Sequence, residues 1–64
     1  MKLTCLGVES NIGGCPTLYA TDRGTFVVQG WRITDAEALA SMDVPEHETA
    51  VEIPAALLRH APQR

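Results

Sequence analysis

Four side chains in this 64-residue chain are of the types that bind soft metals or carry thiol chemistry: Cys5, Cys15, His47 and His60. A structural zinc site needs four ligands, and its strong sequence signature is two close pairs of Cys or His. No two of these four residues form such a pair. The thiols are left with three readings: a disulfide, half of a metal site, or two reduced side chains in a small core. Folding residues 2–8 back on residues 13–19 sets Cys5 roughly opposite Cys15. A Cys5–Cys15 disulfide would then close a short hairpin and add about 3 kcal/mol on the loop-entropy account. Reduced thiols are the favoured reading in a cytoplasmic setting, where glutathione and thioredoxin hold most thiols reduced. The absence of a Cys-x-x-Cys motif argues against redox catalysis.

The remaining polar residues point to no reaction. His47 lies in the acidic run Pro45-Glu46-His47-Glu48, where the carboxylates favour its charged form, and it reads as an exposed loop residue. His60 falls near the end of a short helix, where it suits the helix dipole. Ser10 and Ser41 lack the context of a nucleophile, and Gly13-Gly14 lacks the rest of a phosphate-binding loop. A chain this short also has little room for a substrate pocket of the usual several hundred Å³. The expectation is a non-enzymatic protein with no cofactor.

Charge and composition narrow the partners. Eight acidic and five basic residues give a net charge of −3, and Lys2, Arg23, Arg32, Arg59 and Arg64 are scattered along the chain. Direct nucleic-acid binding is not expected, because it calls for a basic stripe. No leader segment and no membrane-length apolar run is visible, so the chain reads as soluble and cytoplasmic, with no membrane partner. Trp and Arg are over-represented among interface hot spots. Trp31, Arg32 and Arg23 are therefore the candidate interaction surface, with a core position as the competing reading for Trp31.

These residues must be positioned by a single small domain spanning residues 1–64. At this size a chain buries only about 60% of the surface it exposes when unfolded, so a disulfide, a metal or a partner subunit is the usual supplement. Residues 2–8 suit a strand, Glu9 to Gly14 a turn, and residues 15–21 a second strand with Pro16 at its start. Asp22-Arg23-Gly24 suits a tight hairpin turn with Gly24 in the left-handed position. Residues 25–33 are rich in β-branched and aromatic types and read as one long strand, in which Gly30 marks a bulge or a close backbone approach. Thr34-Asp35-Ala36-Glu37 has the form of a capping box, opening a helix of two to three turns that ends before Asp43-Val44-Pro45 and must dock on the sheet. Residues 50–53 suit a short strand, and Pro54 the first position of a last helical turn or two over residues 55–59.

The reading is an α+β fold with a small antiparallel sheet, in the order β-β-β-α-β-α, and a short helix packed on one face. The expected core is Leu3, Leu18, Phe26, Val28, Ile33, Leu39, Val51, Ile53, Leu57 and Leu58.

Two stretches carry resemblances. The run from Val51 to Arg59, with its Ile53-Pro54 step, resembles the strand-Ile-Pro-helix segment of the swapped-hairpin antitoxin and transition-state regulators, although the basic residues which that family uses for DNA have no match here. The run from Cys15 to Gly30, together with Glu52-Ile53-Pro54, is similar to small uncharacterised proteins of actinobacteria. Proteins of that kind often accompany helix-turn-helix regulators. The resemblance implies a protein partner, a transcriptional regulator to which the chain is an accessory; the chain's small size makes a homodimer through an exposed sheet edge the other candidate. The alternative function is a metal- or redox-responsive protein using Cys5 and Cys15.

Overall fold

The Asp22-Arg23-Gly24 turn sets the register of the main sheet. Gly24 has φ +75°, a left-handed conformation that costs a residue with a Cβ about 1–2 kcal/mol. Thr21 ties the turn together. Its N–H donates to the Thr25 carbonyl at 2.9 Å, and its hydroxyl oxygen accepts from the N–H groups of Arg23 and Thr25 at 3.1 and 3.2 Å. From this turn β2 (Thr17–Thr21) and β3 (Phe26–Gln29) run antiparallel, and β1 (Leu3–Val8) pairs with the other side of β2. The sheet order is β1-β2-β3. The computed structural model describes residues 1–10 and 14–62. Part of the expected Glu9–Gly14 turn, at 11–13, and the end of the chain, at 63–64, lie outside the described residues.

Directly opposed residues share a face of a sheet, and the pairing therefore assigns the two faces. Gly7, Leu18 and Val28 lie in one row on one face, and Cys5, Tyr19 and Val27 in one row on the other. Cys5 opposes Tyr19 and Gly7 opposes Leu18, so Leu6 is an extra residue on β1. This β-bulge brings Val8, opposite Thr17, onto the same face as Cys5.

The expected strand over residues 25–33 is broken at Gly30. The chain continues as β4 (Trp31–Arg32), which pairs antiparallel with β5 (Val51–Glu52) in a separate two-stranded sheet. The strand expected over residues 50–53 thus does not extend the main sheet. A Cβ at Gly30 would lie 2.6 Å from the Glu52 carbonyl oxygen and 2.7 Å from Ile53 Cγ2. Gly30 is a close backbone approach between the two sheets, one of the two roles expected for it.

The helix α1 spans Ala36–Ala40 and is shorter than expected. Its cap is Asp35, whose carboxylate accepts from the Ala38 N–H at 3.3 Å; the Thr34–Glu37 capping box does not form. Asp and Thr compete for the same role, and Asp is the slightly better N-cap. Helix α1 buries none of its residues, and Leu39 is half exposed. The element that docks on the sheet is instead a 3-10 helix, Ala55–His60, which packs against β1 and β2. Pro54 is its extended N-cap, with ψ 142°, and not its first helical residue. Pro62 disfavours helical geometry at the preceding residue, and Ala61 is extended, with ψ 138°.

A 3-10 helix has three residues per turn, so positions i and i+3 are aligned. Pro54, Leu57 and His60 accordingly form the inward row. Leu57 is fully buried, whereas Leu58, one position on, is 62% exposed. The core is smaller than the sequence suggests. Leu18 and Leu57 are its buried apolar side chains among the described residues, with Pro16 and Thr17 also buried, while Leu3, Phe26, Leu39, Val51 and Leu58 are exposed. The reason is geometric: one short helix covers only one end of one face. Truncating Leu57→Ala should cost about 2–5 kcal/mol, and Leu58→Ala less than about 0.5 kcal/mol, in urea unfolding. Equal costs would show that Leu58 is not on the outward side of the helix.

Candidate functional site

Three features offer chemistry or contact. The first is the face of the main sheet opposite the 3-10 helix. It carries Leu3, Cys5 and Val8 from β1, Thr17, Tyr19 and Thr21 from β2, and Val27 and Gln29 from β3. None of these residues is charged. Leu3, Cys5 and Val8 are exposed, Tyr19 and Val27 are half-buried at the centre, and Thr17 at one end is buried. The Tyr19 hydroxyl reaches the Gln29 side-chain oxygen at 3.4 Å. This is an open apolar face with hydroxyl and amide groups around it.

The second feature is an ionic cluster where the 3-10 helix meets β1. The Glu9 carboxylate oxygen Oε2 lies 2.7 Å from His60 Nε2 and 2.8 Å from Arg59 Nη2. Glu9 and His60 are largely buried, and Arg59 is mostly exposed. The His60 ring lies directly on Gly7, where a Cβ would come within 2.0 Å of its Cγ. Glycine is required there because the ring fills the space of a side chain. Sequence reasoning placed His60 at a helix end but missed Glu9 and Gly7. A glycine inside a strand pattern marks a close approach, and Gly7 carried the same signal as Gly30.

The third is a broad open cleft of about 700 Å³ between α1 and the β4–β5 sheet. Arg32, Asp35 and Glu52 line it together with apolar side chains such as Met42 and Ile53. It is larger than a chain of this length suggested, because α1 stands off the sheet.

The cysteines are not brought together. Both are free and exposed. The strand restarts only after Pro16, which has no N–H to donate, and the Glu9 N–H donates to the Pro16 carbonyl at 2.9 Å. Cys5 therefore opposes Tyr19 and not Cys15. Cys15 precedes the start of β2 and lies four residues from Tyr19, up to about 13 Å at the ~3.3 Å per residue of extended chain. A disulfide needs Cα atoms within about 7 Å. Cys15 instead approaches the Ser10 hydroxyl at 3.7 Å and shares a small pocket with Trp31. Among the described residues, no three His, Cys, Asp or Glu side chains are grouped to hold a metal ion. His47 pairs with Glu48 at 3.9 Å on the surface, where such pairs contribute about 0–1 kcal/mol.

The candidate contact residues are also divided. Trp31 and Arg32 are neighbours on β4, the first half-buried and the second exposed, while Arg23 is exposed in the turn at the opposite end of β3. They do not form one surface. Comparison with known protein families, characterised proteins and solved structures found no match. No helix among the described residues is long and apolar enough to cross a membrane.

The cluster serves as a clamp on the 3-10 helix. Replacing Glu9→Ala should cost about 1–3 kcal/mol, because it strands the largely buried His60 ring. Arg59→Ala should cost less than about 1 kcal/mol, as an exposed partner. Unfolding of the Glu9→Ala, His60→Ala and double variants should give a coupling of at least about 0.5 kcal/mol. Additive costs would show that the contact does not hold the helix.

Proposed function

We propose that this chain is a non-enzymatic protein-interaction module of the cytoplasm that works through the open face of its main sheet. One observation carries the reading. A sheet face with Leu3, Cys5, Val8, Tyr19 and Val27 and no charged residue receives no helix, in a chain whose buried apolar side chains among the described residues are Pro16, Leu18 and Leu57. Depletion of charge around an aromatic and aliphatic centre, with a polar rim, is the composition of an interface core. Large apolar patches on soluble proteins mark contact sites. A transcriptional regulator is the class of partner that the sequence resemblance supplies.

The metal- or redox-responsive reading needs Cys5 and Cys15 to act together, and the strand register sets them apart. No observation favours it. The exposed, free state of both thiols suits a reducing compartment.

The test is a pull-down from native extract with the tagged chain. The unaltered chain should retain a protein, and the Leu3→Lys/Val8→Lys double variant should lose it. Leu58→Lys, on the outward row of the 3-10 helix, should retain it. A chain that runs as a monomer in light scattering and retains nothing sinks the proposal.

A further inference from the structure

The open face calls for an occupant, and the size of the molecule indicates which. A folded monomer of 6.9 kDa is expected to expose about 4,000 Å². This chain exposes 5231 Å². Its radius of gyration is 13.0 Å, against about 10.7 Å for a monomeric domain of this length. The surplus surface is about 1,200 Å², and a standard interface buries about 800 Å² on each partner. One interface of ordinary size would remove about two thirds of that surplus, and the open cleft beside α1 contributes to the remainder.

We infer that a second copy of this chain covers the face, joining the two three-stranded sheets face to face in a six-stranded sandwich. The inference rests on the interaction-module reading and names its partner.

Three properties of the face suit a copy of itself. It has no charge, so two chains of net charge −3 meet where neither presents a like charge. Cys5, Tyr19 and Val27 lie in one row across all three strands, which is the inward row that a sandwich needs. Packed sheets sit about 10 Å apart with side chains interdigitated. Each copy would supply half of a core that neither has alone. The bulge at Leu6 belongs to the same design, because it turns Val8 toward this face. Without the extra residue, the period of two would put Val8 on the side of the 3-10 helix. The bulge also twists the outer edge of β1, which discourages edge-to-edge pairing and leaves the face as the contact.

The two free thiols provide a readout that needs no variant. Cys5 lies on the face, on its β1 edge beside Tyr19, and Cys15 lies outside it; both are exposed in the single chain. The purified reduced chain is followed by sedimentation equilibrium from micromolar to millimolar concentration, and thiol labelling is timed at each concentration. The expected mass rises to twice that of one chain. Cys5 labelling should slow about tenfold when nine-tenths of the chain is dimeric, in proportion to the remaining monomer. Cys15 labelling should change less than about twofold, since its exposure does not depend on the dimer. Added salt should not weaken the association, because screening reduces repulsion between acidic chains. Val8→Lys, checked for folding by circular dichroism, should stay monomeric.

A single-chain mass at millimolar concentration overturns the inference. So does a dimer in which Cys5 remains as reactive as in the monomer, which places the contact elsewhere. A monomer that still retains a different protein through Leu3 and Val8 overturns only the second copy and leaves the interaction module standing.

Discussion

The structure depends on the seating of one six-residue 3-10 helix on β1 and β2. Gly7 makes that seating feasible, since any side chain there would occupy the space of the His60 ring. With the ring down on the strand, Nε2 meets the Glu9 carboxylate, and a link is made between residues 51 apart in sequence. Leu57, one turn earlier, fills the core against the same face. An apolar contact and a partly buried hydrogen bond thus lie on one row of the helix, three residues apart. Neither is large alone. Together they hold the only helical element that packs substantially on the main sheet among the described residues.

That arrangement explains why the rest of the molecule is open. A single helix of this length covers one end of one face, so Phe26 at the other end is exposed. The opposite face receives no helix, although β2 and β3 carry apolar side chains on both sides. The sequence after Gly30 is committed to a second sheet and to α1, which stand apart and enclose a cleft instead of a core. A chain with this division of labour has too little buried apolar surface for comfortable stability as a monomer. Burial of the uncharged face on a partner would address stability and function with the same contact.

The parts of this fold that were legible in the sequence are those decided by neighbours in the chain. The Asp22-Arg23-Gly24 hairpin formed as expected because glycine alone takes its left-handed position cheaply. Gly30 was marked as a bulge or a close approach, and the structure selects the second. The N-cap moved by one residue, from Thr34 to Asp35, because two good caps stood side by side and local propensity does not separate them. The equal treatment of Leu57 and Leu58 failed for a subtler reason. Successive residues on a helix point roughly 100–120° apart, so the row that seats on the sheet takes Leu57 and leaves Leu58 outside. The cysteine pairing failed because β2 begins after Pro16 and shifts the register by about four residues. None of the residues of the ionic clamp was chosen as a site, since Glu9 and His60 meet only when the ends of the chain come together.

The sequence by itself determined the α+β class, the three-stranded antiparallel sheet with its hairpin turn, and the uncharged character of strands β1 to β3. Those follow from turn chemistry, β-branched composition and the placement of charge, all of which act over a few residues. The tertiary structure alone decided which face of the sheet is covered, that Cys5 and Cys15 lie apart, and that Glu9 meets His60. The physical reason is that each of these depends on register and on the seat of the 3-10 helix. A single extra residue at Leu6 moves Val8 to the other face of the sheet without changing the local pattern that a reader of the sequence sees.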